Sequence, residues 1–309
     1  MPSWCLIESD PAVFTELIQR FGAQGVAVEE IVQLEQEYLR VHTNVYGLIL
    51  LFKWKARKEG AATDGVVVPD APVFFVQQTV NNACATLSIV NILLNHKESI
   101  ELGEVLGNFL SFTQDMNPYL RGTQVGECDA LREAHNSFAP VELFSLDHSV
   151  PDAGDAYHFV SFVYKNSAIW ELDGLQEGPI LASDASDENY RDKLMEVVRK
   201  RIRDHSAEDT TGAGQGISFS LMAVVDDPLV LLERRIYEAT LQEAPTHYLE
   251  EQLNQLTKQR AREKLENQRR RHNYVPMIVE LLKALAEKGQ LKGILDDALA
   301  KKSGQGAKQ

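Results

Sequence analysis

The stretch Val73–Asn91, VFFVQQTVNNACATLSIVN, decides how the rest of the chain is read. Val73, Phe74, Phe75 and Val76 form an apolar run that predicts a buried strand. Gln77–Asn82 is a polar elbow, and Ala83-Cys84-Ala85-Thr86-Leu87 opens an apolar-periodic segment that predicts a helix. Cys84 then falls in the first helical turn, where unpaired backbone N–H groups and the positive end of the helix dipole favour a thiolate. Gln78 lies six residues earlier, and its amide could fold back beside the sulfur. A thiolate with a neighbouring donor is what attack on a carbonyl requires: one group forms the bond and the other stabilises the oxyanion. A Cys in an apolar helix is more often a small core residue, so the assignment depends on the rest of the chain.

The chain has 309 residues, room for one large domain plus an appendage. With 44% hydrophobic and 25% charged residues, it can bury a sizeable core. Met1–Glu8 lacks a basic n-region and a long apolar h-region, so no secretory signal is expected. The apolar run Val45–Phe52 ends at Lys53 and is far too short to span a bilayer, so no membrane partner is expected. Cys5, Cys84 and Cys128 are an odd, sparse set, which argues for a reducing compartment and against a disulfide framework. No paired-Cys or clustered-His pattern points to a metal, and no cofactor is expected.

The net charge of -14 is unevenly spread. Residues 228–309 carry 15 Lys/Arg against 11 Asp/Glu, a net +4, whereas residues 1–227 carry 16 against 34, a net -18. An acidic main domain attracts basic partners and repels nucleic acid, which is therefore not expected as a ligand. The Gly-rich run GAGQG at 212–216 lacks G-x-G-x-x-G spacing and follows a helical segment, which excludes a dinucleotide fold.

Taken in order, the chain predicts a helix from Asp10-Pro11 that buries Val13, Phe14, Leu17, Ile18 and Phe21. Val45–Trp54 reads as a buried strand and Arg57–Asp70 as a polar loop. Glu98–Met116 and Leu131–Phe138 read as helices, and Ser145–Ala156 as an exposed loop. Tyr157–Tyr164 and Ala168–Asp173 form a hairpin turned at Asn166–Ser167. Glu188–His205 reads as a helix and Ile217–Val225 as a last strand. From Pro228 no strand-like run appears. Leu229–Arg271 is long, charged and helical, with Leu249, Leu253 and Leu256 as a short seam. Asn273 and Pro276 restart a helix whose Met277, Ile278, Leu281, Leu282 and Leu285 form an apolar stripe with little left to cover it, as in a partner-binding face.

A thiolate nucleophile needs a base and a group that orients the base. His42, His96, His148, His205, His247 and His272 sit in polar or loop contexts, and His135 lies in a short helix. Only His158 begins a buried-looking strand directly after a loop, and fifteen residues later Asp173 ends the paired strand. The start of one hairpin strand and the end of the other are neighbours, so Asp173 can accept from one imidazole nitrogen while the other faces sulfur.

With these residues the chain resembles the ubiquitin C-terminal hydrolase (UCH) family of cysteine deubiquitinases. The resemblance rests on Q-x-x-x-N-x-C at Gln78–Cys84, on His158-Phe159-Val160 and on Glu171-Leu172-Asp173-Gly174-Leu175. It runs from Trp4 to about Val225, and Arg271-His272-Asn273-Tyr274 with Pro276 is similar to the tail of long-tailed, proteasome-associated members. The resemblance implies an α/β, papain-like fold with a central antiparallel sheet flanked by helices and a knotted backbone path. A catalytic domain would span 1–226 and an all-α C-terminal extension 227–309. It implies Cys84 as nucleophile, His158 as base and then acid, Asp173 as orienter and Gln78 as oxyanion donor. Asn82 would shape the elbow, Glu8 would meet an Arg of the ubiquitin tail, and Tyr157 would narrow the substrate channel. Residues 145–156 would correspond to the crossover loop over the active site.

The implied activity is thiol-dependent hydrolysis of the amide or isopeptide bond after the C-terminal Gly of ubiquitin, trimming chains at the proteasome in the cytoplasm and nucleus. Expected partners are ubiquitin and its chains, the deubiquitinase-adaptor domain of the proteasomal ubiquitin receptor, and a related domain in a chromatin-remodelling complex. The competing reading is a non-catalytic ubiquitin-binding scaffold recruited through its tail, which the intact Cys84, His158, Asp173 and Gln78 set argues against. Another papain-like enzyme, such as an acyltransferase, would leave the tail unexplained.

Overall fold

A computed structural model describes residues 3–53, 65–139, 157–207 and 219–296. Seven strands are described: β1 (Val26–Glu30), β2 (Val45–Lys53), β3 (Val66–Val67), β4 (Tyr157–Lys165), β5 (Ala168–Leu172), β6 (Ile180–Asp184) and β7 (Phe219–Asp226). They form one sheet in the order β1-β7-β2-β4-β5-β6-β3, with every neighbouring pair antiparallel. The helices are α1 (Pro11–Arg20), α2 (Gln36–Arg40), α3 (Cys84–Asn95), α4 (Gly103–Thr113), α5 (Pro118–Glu127), α6 (Asp129–Asn136) and α7 (Tyr190–Ala207), followed by α8 (Pro228–Leu241), α9 (His247–Arg271) and α10 (Val275–Glu287).

Two apolar clusters cover the sheet. One contains Phe14, Leu17 and Ile18 of α1 with Ile89, Ile92 and Leu93 of α3; the other contains Leu194, Val198 and Ile202 of α7. From Ala85 to Asn95 every residue of α3 is buried, as expected of a helix enclosed on all sides. Its first residue, Cys84, is only partly covered, so the helix runs from the core toward the surface at this end.

The predicted strand at Val73–Val76 does not form. Phe75 and Val76 are buried, but this segment joins no sheet. Its backbone is satisfied by the side chains of α3: Asn95 Oδ1 accepts from the Phe74 N–H at 2.8 Å and Asn91 Oδ1 from the Val76 N–H at 3.0 Å. A buried extended segment must pair its polar groups, and two Asn side chains spaced i,i+4 do so without a neighbouring strand. The short edge strand β3, its neighbour β6 and the helix α5 escape the periodicity argument because each carries few apolar residues.

Leu229–Arg271 is helical and divides into two helices. α8 ends at Leu241, Glu243 takes φ +54, Pro245 follows, and α9 restarts at His247. The tail begins directly after the sheet: Asp227 caps α8, accepting from the Leu229 N–H at 3.0 Å. The far end of α9 returns to α1, where the buried Asn267 donates to the Ala12 carbonyl at 3.0 Å and to Glu16 at 2.8 Å. Residues 145–156, most of the loop at 57–70 and the Gly-rich run at 212–216 lie outside the described residues. No described helix is long and apolar enough to cross a membrane.

Candidate active site

The elbow between the extended segment and α3 is fixed at four points. The Gln77 N–H donates to the Pro118 carbonyl at 3.1 Å, and α5 lies so close that a Cβ on Gly122 would run into the Gln77 carbonyl. The Gln78 N–H donates to the Gly174 carbonyl at 2.8 Å. Asn82 takes φ +64, a left-handed conformation that Asn tolerates, and its Nδ2 donates to the Trp4 carbonyl at 3.0 Å. Ala83 at the N-cap supplies no side-chain hydrogen bond, so no side chain competes for the first-turn N–H groups beside Cys84.

The β4–β5 hairpin supplies the acid–base pair. Asn166 and Ser167 turn it, both at positive φ, and Ser161 faces Leu172 across it. His158 and Asp173 thereby meet at one end, where Nε2 of His158 donates to Asp173 Oδ1 at 2.7 Å and each residue is 5% exposed. The Cys84 side chain acts on the same imidazole, raising it together with Asp173. With Nε2 engaged by the carboxylate, Nδ1 is the nitrogen left for sulfur. Burial pulls the imidazole down, but the hydrogen bond to Asp173 and the Cys84 side chain outweigh it and push His158 up to about 9. Burial acts the other way on Asp173, and the bond from His158 with those from Leu175 and Gln176 outweighs it, holding the carboxyl below its usual range. Both directions describe one charged pair that favours an imidazolium.

The structure thus brings together Cys84, His158 and Asp173, and straps Gln78 to the turn that follows Asp173. Gly174 permits that contact. A Cβ there would lie 3.1 Å from Gln78 Cβ and 3.4 Å from Leu87 Cδ1, so the Gln78 arm, the Asp173 turn and the first turns of α3 meet at a glycine. Oε1 of Gln78 is buried with no hydrogen-bond partner among the described residues.

The structure adds two contributors to those named from the sequence. Nε2 of Gln176 donates to Asp173 Oδ2 at 3.3 Å, while the Leu175 N–H donates to Oδ1 at 3.0 Å. Phe52 stands opposite His158 in the β2–β4 register, the rings edge-to-face with centroids 6.1 Å apart. Behind Phe52 lie His205, with ring centroids at 4.9 Å, and the Arg201 guanidinium, 5.1 Å from the ring. An i,i+3 Gln after a turn Asp is a readable signal; a Phe inside an apolar strand is not.

The predicted binding residues are placed as follows. Glu8 is exposed and pairs with Arg270 of α9, its Oε2 3.0 Å from Nε. Tyr157 opens β4 and is 43% exposed. The side-chain nitrogen of Asn82 is engaged by Trp4, inside the elbow. On α10 no residue is fully buried: Met277, Leu281 and Leu282 are exposed, and Ile278 and Leu285 are half-buried.

Comparison with known proteins agrees with this geometry. The family model described as ubiquitin carboxyl-terminal hydrolase, family 1, matches residues 4–203, and one described as ubiquitin carboxyl-terminal hydrolases matches residues 248–291, which span most of α9 and all of α10. The chain is 37% identical to ubiquitin carboxyl-terminal hydrolase ubh-4 of Caenorhabditis elegans over 96% of this chain and 91% of that protein. It is 34% identical to ubiquitin carboxyl-terminal hydrolase 2 of Schizosaccharomyces pombe over 98% of this chain and 99% of that protein. Among solved structures it is similar to Trichinella spiralis UCH37 bound to ubiquitin vinyl methyl ester, with a TM-score of 0.67 and 30% identity over 84% of this chain and 99% of that one. The chain belongs to the ubiquitin carboxyl-terminal hydrolase family, and is a cysteine-type hydrolase of ubiquitin conjugates with that family's fold.

Proposed function

We propose that Cys84 is the nucleophile of this hydrolase, His158 its base and acid, Asp173 the orienter of His158, and Gln78 an oxyanion donor. The observation that carries the assignment is the buried 2.7 Å bond from His158 Nε2 to Asp173, made by an imidazole on which the Cys84 side chain also acts. Nδ1 takes the proton from Sγ, and the thiolate adds to the carbonyl carbon of the terminal glycine of ubiquitin. The oxyanion accepts from the Gln78 amide and from first-turn N–H groups of α3. Collapse breaks the C–N bond as His158 protonates the departing amine, leaving a thioester. Water, deprotonated by His158, then adds to the thioester carbonyl, and collapse expels the thiolate.

Residues 1–226 form the catalytic unit in this reading, and 227–309 its partner-binding extension. Glu8 meets a basic residue of the ubiquitin tail, Asn82 sets the elbow, and Tyr157 narrows the entrance so that residues without side chains pass. The exposed face of α10 binds the adaptor domain of the proteasomal ubiquitin receptor, or a related domain of a chromatin-remodelling complex. The enzyme then trims ubiquitin chains at the proteasome, in the cytoplasm and nucleus. Support comes from the exposed Met277, Leu281 and Leu282 and from the second family match, which reaches into this tail.

Ubiquitin carrying a C-terminal vinyl methyl ester tests the core of the proposal. The full chain should gain the mass of one ubiquitin at Cys84, and Cys84→Ala should gain none. An adduct that persists in Cys84→Ala would overturn the assignment, and a wild-type chain that binds the probe without reacting would favour the scaffold.

A further inference from the structure

His135 is buried, titratable and not used by the chemistry described above. It is fully enclosed on α6, and both ring nitrogens are engaged. Nε2 lies 2.8 Å from the Cys5 carbonyl. A carbonyl only accepts, so Nε2 carries the proton. Nδ1 is then an acceptor, and it lies 2.8 Å from the Thr86 hydroxyl, which must donate to it. Burial pulls the imidazole down to about 4 against the opposing pull of the Cys5 carbonyl, so the neutral form with this one tautomer persists at neutral pH. The Trp4 ring packs edge-on at 4.7 Å, and the next residue, Asn136, exchanges bonds with the same strap: its Oδ1 accepts from the Cys5 N–H at 3.0 Å and its Nδ2 donates to the Ser3 carbonyl at 2.9 Å.

Thr86 stands two residues after Cys84 in the first turn of α3, fully buried. That turn begins without a capping side chain, and an uncapped first turn is the part of a helix that frays. The lateral bond from Thr86 to His135 restrains the turn where the end-on cap is missing. The opposite edge of His135 holds the segment whose Trp4 carbonyl is bound by Asn82, two residues before Cys84. A closed circuit therefore runs from Thr86 through His135, Cys5, Trp4 and Asn82 back to the elbow, with Cys84 inside it.

We propose that His135 is a positioning residue for the hydrolytic reaction, acting through Thr86 to hold the first turn of α3 and so the aim of the Cys84 thiol. The inference rests on Cys84 being the nucleophile. Its effect falls on turnover, because the circuit supports the attacking atom.

Kinetics of the full chain on a ubiquitin C-terminal fluorogenic amide test it, together with the rate at which chloroacetamide alkylates Cys84. Thr86→Val keeps the volume and removes the donor. It should lower kcat roughly 10- to 100-fold, the scale of a small misplacement at a reacting centre, with KM within about twofold. Alkylation should slow in parallel, since the small reagent does not need the ubiquitin site. Thr86→Ser, which restores the hydroxyl, should return most of the rate. His135→Gln can accept from Thr86 and donate to Cys5, and should exceed His135→Phe in kcat. The double variant Thr86→Val with His135→Phe should be no slower than the slower single variant. A Thr86→Val protein with a lowered melting temperature but unchanged kcat and alkylation would reduce the circuit to a structural tie and overturn the proposal. If Cys84→Ala remains active, the assignment of the nucleophile fails instead, and the two failures are distinguished.

Discussion

Gln78 donates its backbone N–H to the Gly174 carbonyl at 2.8 Å, so the proposed oxyanion donor hangs from the turn that follows Asp173. The two halves of the site, one from the elbow before α3 and one from the hairpin, are joined by this bond. Displacement at Gly174 is therefore transmitted to both. An added methyl at Gly174 would sit 3.1 Å from Gln78 Cβ, close enough to require movement of the arm. Gln78→Ala should lower kcat by roughly 10²–10³, the usual effect of removing one oxyanion donor. Gly174→Ala should lower kcat in the same direction by less, with ubiquitin affinity retained. Steady-state kinetics with the fluorogenic amide checks both, and an unchanged rate for Gln78→Ala would assign the oxyanion to backbone N–H groups.

The charged pair makes stability depend on pH. His158 is pushed up to about 9 in the folded state, so its contribution is fully present below its unfolded value of about 6.5 and is lost as pH rises through 9. Asp173 is held low, so its contribution is present above its unfolded value of about 3.9 and is lost as pH falls through its folded value. Denaturant titrations of the wild type and His158→Ala should show a stability gap that narrows between pH 7 and 10 by on the order of a few kcal/mol. A gap independent of pH across that window would contradict the charged pair.

Gln176 should separate orientation from chemistry. Gln176→Ala removes one donor to Asp173 and should reduce kcat severalfold, well short of Asp173→Asn, which also misorients the imidazole. His158→Ala should be about as damaging as Cys84→Ala, because groups that act as a unit do not add. Rates measured across the series should rank in that order.

Much of the fold was legible in the chain, and the candidate site residues were found because they mark element boundaries. Cys84 begins α3, His158 is the second residue of β4, and Asp173 follows β5 directly. Periodicity finds those ends, and a hairpin of known length joins two of them. The strand expected at Val73–Val76 was misread because its apolar run meets Asn91 and Asn95 in place of a sheet, a tertiary substitution that local pattern cannot report. The His135 circuit was hidden for a similar reason. A His in a short amphipathic helix looks like a surface residue until Cys5 and Thr86, 130 and 49 residues away, close around it.

The return of α9 to α1 is polar and acid-sensitive. Asn267, Arg270 and Arg271 meet Ala12, Asp10, Glu8 and Glu16 there. Burial raises the Glu16 carboxyl, but its bonds with Asn267 and Arg271 outweigh this and hold it low. The stabilisation it lends is present at neutral pH and lost as pH falls through the folded value. Asn267→Leu should leave the Ala12 carbonyl without this donor and remove one of the bonds to Glu16. Amide exchange in α8 and α9 should quicken, while exchange in α3 stays slow. Equal acceleration in both would mean that the tail and the sheet unfold together.

The apolar stripe on α10 invites two outcomes. If it packed on Leu249, Leu253 and Leu256, its residues would be covered; instead Leu281 is 56% exposed and no residue of the helix is fully buried. Free apolar side chains in a row at i, i+4 and i+5, as at Met277, Leu281 and Leu282, are what a groove on a partner requires, each contributing about 1.5–3 kcal/mol when fully enclosed. Leu281→Asp with Leu285→Asp places two charges on this face. Because little of it is buried within the chain, the melting temperature should shift by no more than a few degrees. Capture by the isolated adaptor domain of the proteasomal receptor should be lost, since each carboxylate would have to be desolvated in an apolar groove without a partner. Thermal denaturation and a pull-down on the same preparations decide the matter. A large fall in melting temperature would place the stripe inside the tail's own core, and a stable double variant that still binds at parental affinity would move the contact to another face of the extension.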